Sequence, residues 1–157
     1  MPYFTITTSF ALTGKEKEYL ISSISDLTVS ELSVAPDKVQ VYIQEGKRAN
    51  FGRAGVSLEN KNFSLASRYI TAASNQSYYS GKDRIEDLIV IELDIWHNFS
   101  VEEKSELSKN ITNLLKTAFS VSGDNILILI RDMDPANWIQ NGISGVEKDF
   151  LNKSREV

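Results

Sequence analysis

The 157-residue sequence contains no cysteine and only one histidine. The first absence excludes disulfides, zinc–thiolate sites and thiol nucleophiles, without identifying a redox compartment. The second argues against a metal site built from several histidines of one chain, and neither metal nor cofactor is expected. There is no block of Lys or Arg either, since 17 basic residues stand against 21 acidic ones for a net charge of −4. Neither a nucleic-acid surface nor a polybasic membrane patch follows from that balance, whereas a small anionic molecule stays open. No apolar run approaches the roughly 18 residues that span a bilayer, and no basic-then-apolar leader precedes the first strand-like run. The expectation is a soluble, cytoplasmic protein whose partner is a small molecule. The length and a hydrophobic content of 41% suit a single domain, 1–157, with a real core.

What the chain does have is a duplication. Asn50-Phe51-Gly52-Arg53-Ala54-Gly55-Val56-Ser57 aligns with Asn137-Trp138-Ile139-Gln140-Asn141-Gly142-Ile143-Ser144 at an offset of 87. The same offset runs back without a gap, carrying Thr13 onto Ser100, Glu16 onto Glu103, Lys17 onto Lys104, Leu20 onto Leu107, Ile24 onto Ile111, Leu27 onto Leu114 and Glu45 onto Asp132. A duplicated unit must be read before any single element is assigned.

Residues 3–8 and 88–95 are rich in β-branched and aromatic residues and predict strands. Thr13-x-x-Glu16 and Ser100-x-x-Glu103 are capping boxes that start helices, and the i, i+4, i+7 spacing of Leu20, Ile24 and Leu27 gives the first helix a buried face. Leu107, Ile111 and Leu114 repeat that face, with Leu115 and Ala118 beside them. Pro36 and Ser122-Gly123-Asp124 end the helices, and 39–45 and 126–132 return to period-two alternation. Each repeat therefore reads as β-α-β with parallel strands. The predicted fold class is α+β: two tandem units forming a four-stranded mixed sheet with two helices on one face.

The opposite face would carry Tyr3, Thr5, Gln40, Tyr42 and Gln44 from repeat one and Val90, Leu127 and Leu129 from repeat two. Its second half is too apolar for water, which argues for burial against other subunits, with helices on both faces of a monomer as the rival arrangement. The segmentation is repeat one 2–57, linker 58–87, repeat two 88–144 and tail 145–157. In the linker, 63–72 reads as a short helix or a strand. The tail is polar, with Val146, Phe150 and Leu151 as its only anchors.

Together, Pro2 directly after Met1, the gap-free repeat, Val39-Gln40-Val41-Tyr42-Ile43-Gln44-Glu45 and the turn Asn50-Phe51-Gly52-Arg53-Ala54-Gly55 resemble the tautomerase superfamily. The first half is similar to 4-oxalocrotonate tautomerase. Two fused units resemble the dehalogenase, decarboxylase and cytokine-like branches, whose closing segment is similar to Arg131-Asp132-Met133-Asp134-Pro135-Ala136-Asn137-Trp138. The resemblance implies a homotrimer around a closed β core. It also implies that loss of Met1 leaves a secondary amine on Pro2, the expected catalytic residue, acting as general base or acid.

The departures from the family pattern are equally specific. Leu12 and Gln40 stand where 4-oxalocrotonate tautomerase has carboxylate-binding arginines, and Trp96-His97-Asn98-Phe99-Ser100 where the fused branches have theirs. Thr28 occupies the position of a dehalogenase histidine, and Leu127 and Leu129 those of cytokine-branch polar residues. His97 and Asp132 remain as candidate acids or water-orienting groups, and Phe51, Arg53 and Trp96 as substrate-binding candidates. Arg68, Lys82 and Arg84 are alternative carboxylate clamps. The resemblance thus implies a proline-dependent tautomerase acting on an enol, 2-keto acid or related unsaturated compound, less carboxylated than usual. The alternatives are a hydratase, dehalogenase or decarboxylase of the same superfamily, or a non-catalytic trimeric binding protein. Five N-x-S/T sequons, at Asn62, Asn75, Asn98, Asn110 and Asn152, are read as chance.

Overall fold

The computed structural model describes residues 1–60, 63 and 84–157. The reading of 63–72, the candidate clamps Arg68 and Lys82, and the sequons at Asn62 and Asn75 fall wholly or largely outside the described residues. Strands β1 (Tyr3–Thr8), β2 (Gln40–Glu45), β5 (Ile89–Trp96) and β6 (Ile126–Met133) form one sheet in the order β2-β1-β5-β6. The pairs β1/β2 and β5/β6 are parallel, and the two units meet antiparallel through β1 and β5. Helices α1 (Gly14–Leu32) and α2 (Val101–Phe119) cover one face. The remaining elements are the hairpins β3 (Gly52–Arg53) with β4 (Val56–Ser57) and β7 (Ile139–Gln140) with β8 (Ile143–Ser144), and a last turn of helix, α3 (Phe150–Lys153).

The offset of 87 survives at the level of single hydrogen-bonded pairs. Tyr3 faces Gln40 as Val90 faces Leu127, and Gly52 faces Ser57 as Ile139 faces Ser144. Both capping boxes form, and both long helices end on a left-handed serine, Ser33 and Ser120. Each hairpin turns through two positive-φ residues, Ala54-Gly55 and Asn141-Gly142, the geometry that matches strand twist. Lys17 meets Glu45 at 3.0 Å and Lys104 meets Asp132 at 2.7 Å, so each helix is pinned to the end of its second strand.

The core lies between helices and sheet. Phe4, Ile6, Ile91, Leu93 and Ile95 from the sheet pack under Leu20 and Ile24 of α1 and Leu107, Ile111 and Leu115 of α2. On α2 the fully buried row is Leu107, Ile111, Leu115 and Phe119; Leu114 is half-buried and Ala118 exposed, because a straight i, i+4 row meets the sheet. On α1 the buried row includes Thr28, whose hydroxyl donates back to the Ile24 carbonyl at 2.6 Å and so needs no other partner.

The face opposite the helices carries the residues expected there, with Tyr42, Leu127 and Leu129 exposed. It is less apolar than the alternation of Leu127 and Leu129 implies, since Arg131 Nε bonds Asp94 at 2.7 Å and Nη1 bonds Glu92 at 2.7 Å on the same face. The tail also differs from expectation. Val146 and Leu151 are exposed, and Phe150 is the buried apolar anchor, helped by buried Ser154 and by Arg155 paired to Asp37 at 2.7 Å. Among the described residues no helix is long and apolar enough to cross a membrane.

Candidate active site

The antiparallel meeting of β1 and β5 decides which residues share an end of the sheet. Tyr3 lies opposite Asp94, and carrying that register on sets Pro2 beside Ile95 and Met1 beside Trp96. Ile95 in turn pairs with Asp132, and Trp96 with Met133. Pro2, Ile95 and Asp132 thus form a row on the helix side, with Pro2 and Asp132 two strand spacings, about 10 Å, apart. Met1, Trp96 and Met133 form the adjoining row on the open face.

Met1 and Pro2 are both buried, and the Pro2 carbonyl accepts from the Gln40 N–H at 3.2 Å, which ties the chain end into the sheet. Burial disfavours the charged form of the chain-terminal ammonium and pushes its pKa down to about 6. Around this end, Lys38 is buried to 1% side-chain exposure. Its ammonium donates to Ser154 Oγ at 2.9 Å and Gln140 Oε1 at 3.4 Å, and it sits 5.9 Å from the centre of the Phe150 ring. The lysine therefore fastens the second hairpin and the tail over the mouth of the sheet. Trp96 packs against Phe150 at 5.8 Å between ring centres, and its indole N–H is buried without a hydrogen-bond partner among the described residues.

His97 is exposed in the turn after β5, where its backbone N–H donates to the Met133 carbonyl at 3.2 Å. Asp132 is held by Lys104 at 2.7 and 3.0 Å. Its counterpart Glu45, one methylene longer, also accepts the Leu12 N–H at 2.6 Å; this bond, with Lys17, holds its pKa below the usual carboxylate range.

Phe51 and Arg53 lie at the other end of the sheet, beside Ile89. Phe51 fills space above Gly46, where a Cβ would strike its ring. The Arg53 guanidinium donates to Asn125 Oδ1 and to the Asp124 carbonyl at 3.0 Å, and meets the Asp124 carboxylate at 3.3 Å. Each hairpin thus serves the far end of the sheet, where the other repeat begins. Pro2, Trp96, His97 and Asp132 share one end; Phe51 and Arg53 share the opposite one. Arg84 is committed elsewhere, bonded to Glu16 at 2.8 Å and stacked 4.5 Å over Phe10. Lys38, Gln140 and Ser154 were not singled out in the sequence. The one signal for Lys38 is that positions 38 and 125, equivalent by the repeat, are both polar and both buried.

Fold and chain end together define a fused two-repeat β-α-β protein with a buried N-terminal amine on the central sheet. The family model described as tautomerase enzyme matches residues 68–139. No curated protein matches the chain in sequence. Among solved structures, a fused 4-OT, wild type and a symmetric trimer, superposes with a TM-score of 0.69 at 16% identity over 92% of this chain and 96% of that one. N1, a member of the cis-3-chloroacrylic acid dehalogenase family, gives a TM-score of 0.70 at 11% identity over 95% and 87%. A macrophage migration inhibitory factor homologue from Prochlorococcus marinus gives 0.65 at 14% identity over 92% and 99%. The chain therefore has the fused two-repeat fold of these structures, and its segment 68–139 is similar to the tautomerase enzyme model.

Proposed function

We propose that this chain is a proline-dependent tautomerase whose base is the Pro2 amine, freed by removal of Met1. The observation that carries the reading is the burial of the chain end: Met1 and Pro2 are both buried, burial lowers the Met1 amine to about 6, and the same surroundings disfavour the charged form of an amine at Pro2. A neutral secondary amine takes a proton from an enol oxygen or an α-carbon, and the cation so formed returns it to the other atom. Trp96, beside the position of Met1, carries a buried N–H with no partner among the described residues, a donor for the carbonyl or enolate oxygen. Gln40, in the position of one family arginine, stands beside Tyr3 at this end, and the Lys38 ammonium there is already engaged by Ser154 and Gln140, which favours a 2-keto or enol compound with few carboxylates. His97 remains a candidate acid at the rim.

The tautomerase reading is preferred to hydration, dehalogenation or decarboxylation because both Asp132 oxygens are engaged by Lys104, which leaves that carboxylate poorly placed to orient water. We also propose a single domain laid out as repeat one 2–57, linker 58–87, repeat two 88–144 and tail 145–157. It assembles as a homotrimer that covers the open sheet face, as in the fused relatives whose structures are trimers. The experiment is the mass of the purified chain, followed by phenylenolpyruvate ketonisation in wild type and Pro2→Ala. Retained Met1, or equal rates in the two proteins, would remove the amine from the reaction.

A further inference from the structure

Equivalent positions of the two repeats exchange polar groups between the ends of the sheet. At the Ile89 end the hairpin carries the cation, Arg53, and the sheet entry the amide, Asn125. At the Pro2 end the sheet entry carries the cation, Lys38, and the hairpin the amide, Gln140. Either order ties hairpin to sheet, so that bond alone does not account for a lysine side chain 1% exposed, whose ammonium gives up its water on burial. Its exposed carboxylate neighbour, Asp37 at 3.4 Å, already holds Arg155. What Lys38 adds is a bond of 2.9 Å to Ser154 in the tail. We propose that Lys38 is a positioning residue for the ketonisation: by seating the tail it fixes Trp96, whose indole N–H then donates to the carbonyl or enolate oxygen of the substrate.

Few atoms separate the lysine from the indole. The Ser154 N–H donates to the Phe150 carbonyl at 2.8 Å, so the grip on Ser154 also holds Phe150, which is 5% exposed. The Phe150 ring lies 5.8 Å from that of Trp96 and 5.9 Å from the Lys38 ammonium. The Cζ2 atom of the indole rests against Gly145, where a Cβ would lie 2.7 Å from it, so only glycine admits the ring. Arg155 on Asp37, and the Asn141 side-chain amide on the Glu156 carbonyl at 2.9 Å, close the rest of the tail. Lys38, Phe150, Ser154 and the indole nitrogen are all buried within one chain, so the arrangement does not draw on a surface that assembly would cover. Removal of Met1, itself buried opposite Trp96, opens space at the fixed N–H, and a donor that need not reorient stabilises a developing enolate best. Its use in catalysis rests on Pro2 as the base, whereas the position of the indole is read without turnover.

The test is ¹⁵N–¹H NMR of the tryptophan indoles in the purified full chain, with Trp138→Phe assigning the Trp96 signal and phenylpyruvate, the keto product of the ketonisation assay, as the probe. Phenylpyruvate should move the Trp96 indole proton downfield in wild type and equally far in Pro2→Ala, because the donor does not depend on the amine. Lys38→Met should reduce that shift to less than half at saturation. It should also lower kcat for phenylenolpyruvate about tenfold with KM within about twofold, the pattern of a donor that acts in the transition state. Ser154→Ala should move both readings in the same direction, Ser154→Thr should restore them, and this pair serves if Lys38→Met fails to fold. An indole proton that phenylpyruvate does not move in wild type, or moves equally in the folded Lys38→Met and Ser154→Ala variants, would overturn the proposal. A rise in KM with kcat unchanged would do the same, since it would make Lys38 a substrate-binding cation. Equal ketonisation rates in wild type and Pro2→Ala would remove the Pro2 base alone, and the indole shift would still decide what Lys38 positions.

Discussion

The acid limb of the pH–rate profile tests the buried amine most directly. An α-amino group in water titrates near 8.0, and burial brings that of Met1 to about 6. The same burial acts on an amine at Pro2 and pushes it in the same direction, toward the neutral, base-competent form. The acid limb of kcat/KM for phenylenolpyruvate should therefore lie below the pH at which an exposed terminal amine titrates. The perturbation is one alanine inserted between Met1 and Pro2, which keeps proline in the chain but makes its nitrogen an amide. That variant should lose about 10²- to 10⁴-fold in kcat/KM, the range usual for a positioned base. A second consequence follows from linkage. In the chain that keeps Met1 the folded amine has the lower pKa, so its contribution to stability is fully present above about pH 8 and is lost as pH falls through about 6. Denaturant midpoints of the chain should decline across that window. An acid limb centred near 8, or an insertion variant as active as wild type, would refute the reasoning.

Other outcomes follow from single contacts. Arg84 and the Thr13 backbone hold the Glu16 carboxylate down to about 2, so the stability they contribute is in place above about pH 4.5 and lost as pH falls toward 2. Acid titration of Arg84→Gln should show a weaker loss over that window. Ile111→Ala opens a cavity beneath α2 at a fully buried position and should cost about 2–5 kcal/mol, read as a fall of about 10 °C in Tm. Asp132→Asn weakens a half-exposed ion pair, so thermal denaturation should register at most about 1 kcal/mol, and ketonisation should stay within twofold of wild type. A collapse of activity in that variant would favour the hydratase reading. Gly142→Ala places a side chain at φ +74° and should lower stability by about 1 kcal/mol, measured by urea denaturation.

Most of the fold was legible because the repeat doubled every local signal. A capping box at Thr13 is a modest indication by itself, but at both Thr13 and Ser100, followed by apolar rows in the same phase, it fixes two helices and the strands around them. The failures are those where alternation and periodicity carry no tertiary information. Leu127 and Leu129 made the second half of the open face look too apolar for water, whereas Glu92 and Asp94 on the neighbouring strand recruit Arg131 across it. Val146 and Leu151 looked like anchors because they are apolar, yet the tail is held by Phe150 together with Ser154 and Arg155. Thr28 was invisible as a core residue because its polarity is cancelled only once the helix supplies the Ile24 carbonyl.

The candidate site was legible only in part in its assembly. Pro2 stands out in the sequence because Ile89, at the equivalent position of the second repeat, shows that a strand can begin there without proline. Which residues stand near it depends on the antiparallel junction of β1 with β5, a long-range pairing that no local pattern encodes. Grouping Phe51 and Arg53 with Pro2 follows naturally from their common repeat, but the junction turns the second unit end for end and sends each hairpin to its neighbour's start. The exchange gives Pro2 the contacts of Lys38 with Gln140 and the tail, and gives Ile89 the contacts of Arg53 with Asn125. One duplicated sequence thus builds two unlike ends: one closed around the chain-terminal amine, the other beginning at Ile89, where the Arg53 guanidinium is held by Asp124 and Asn125.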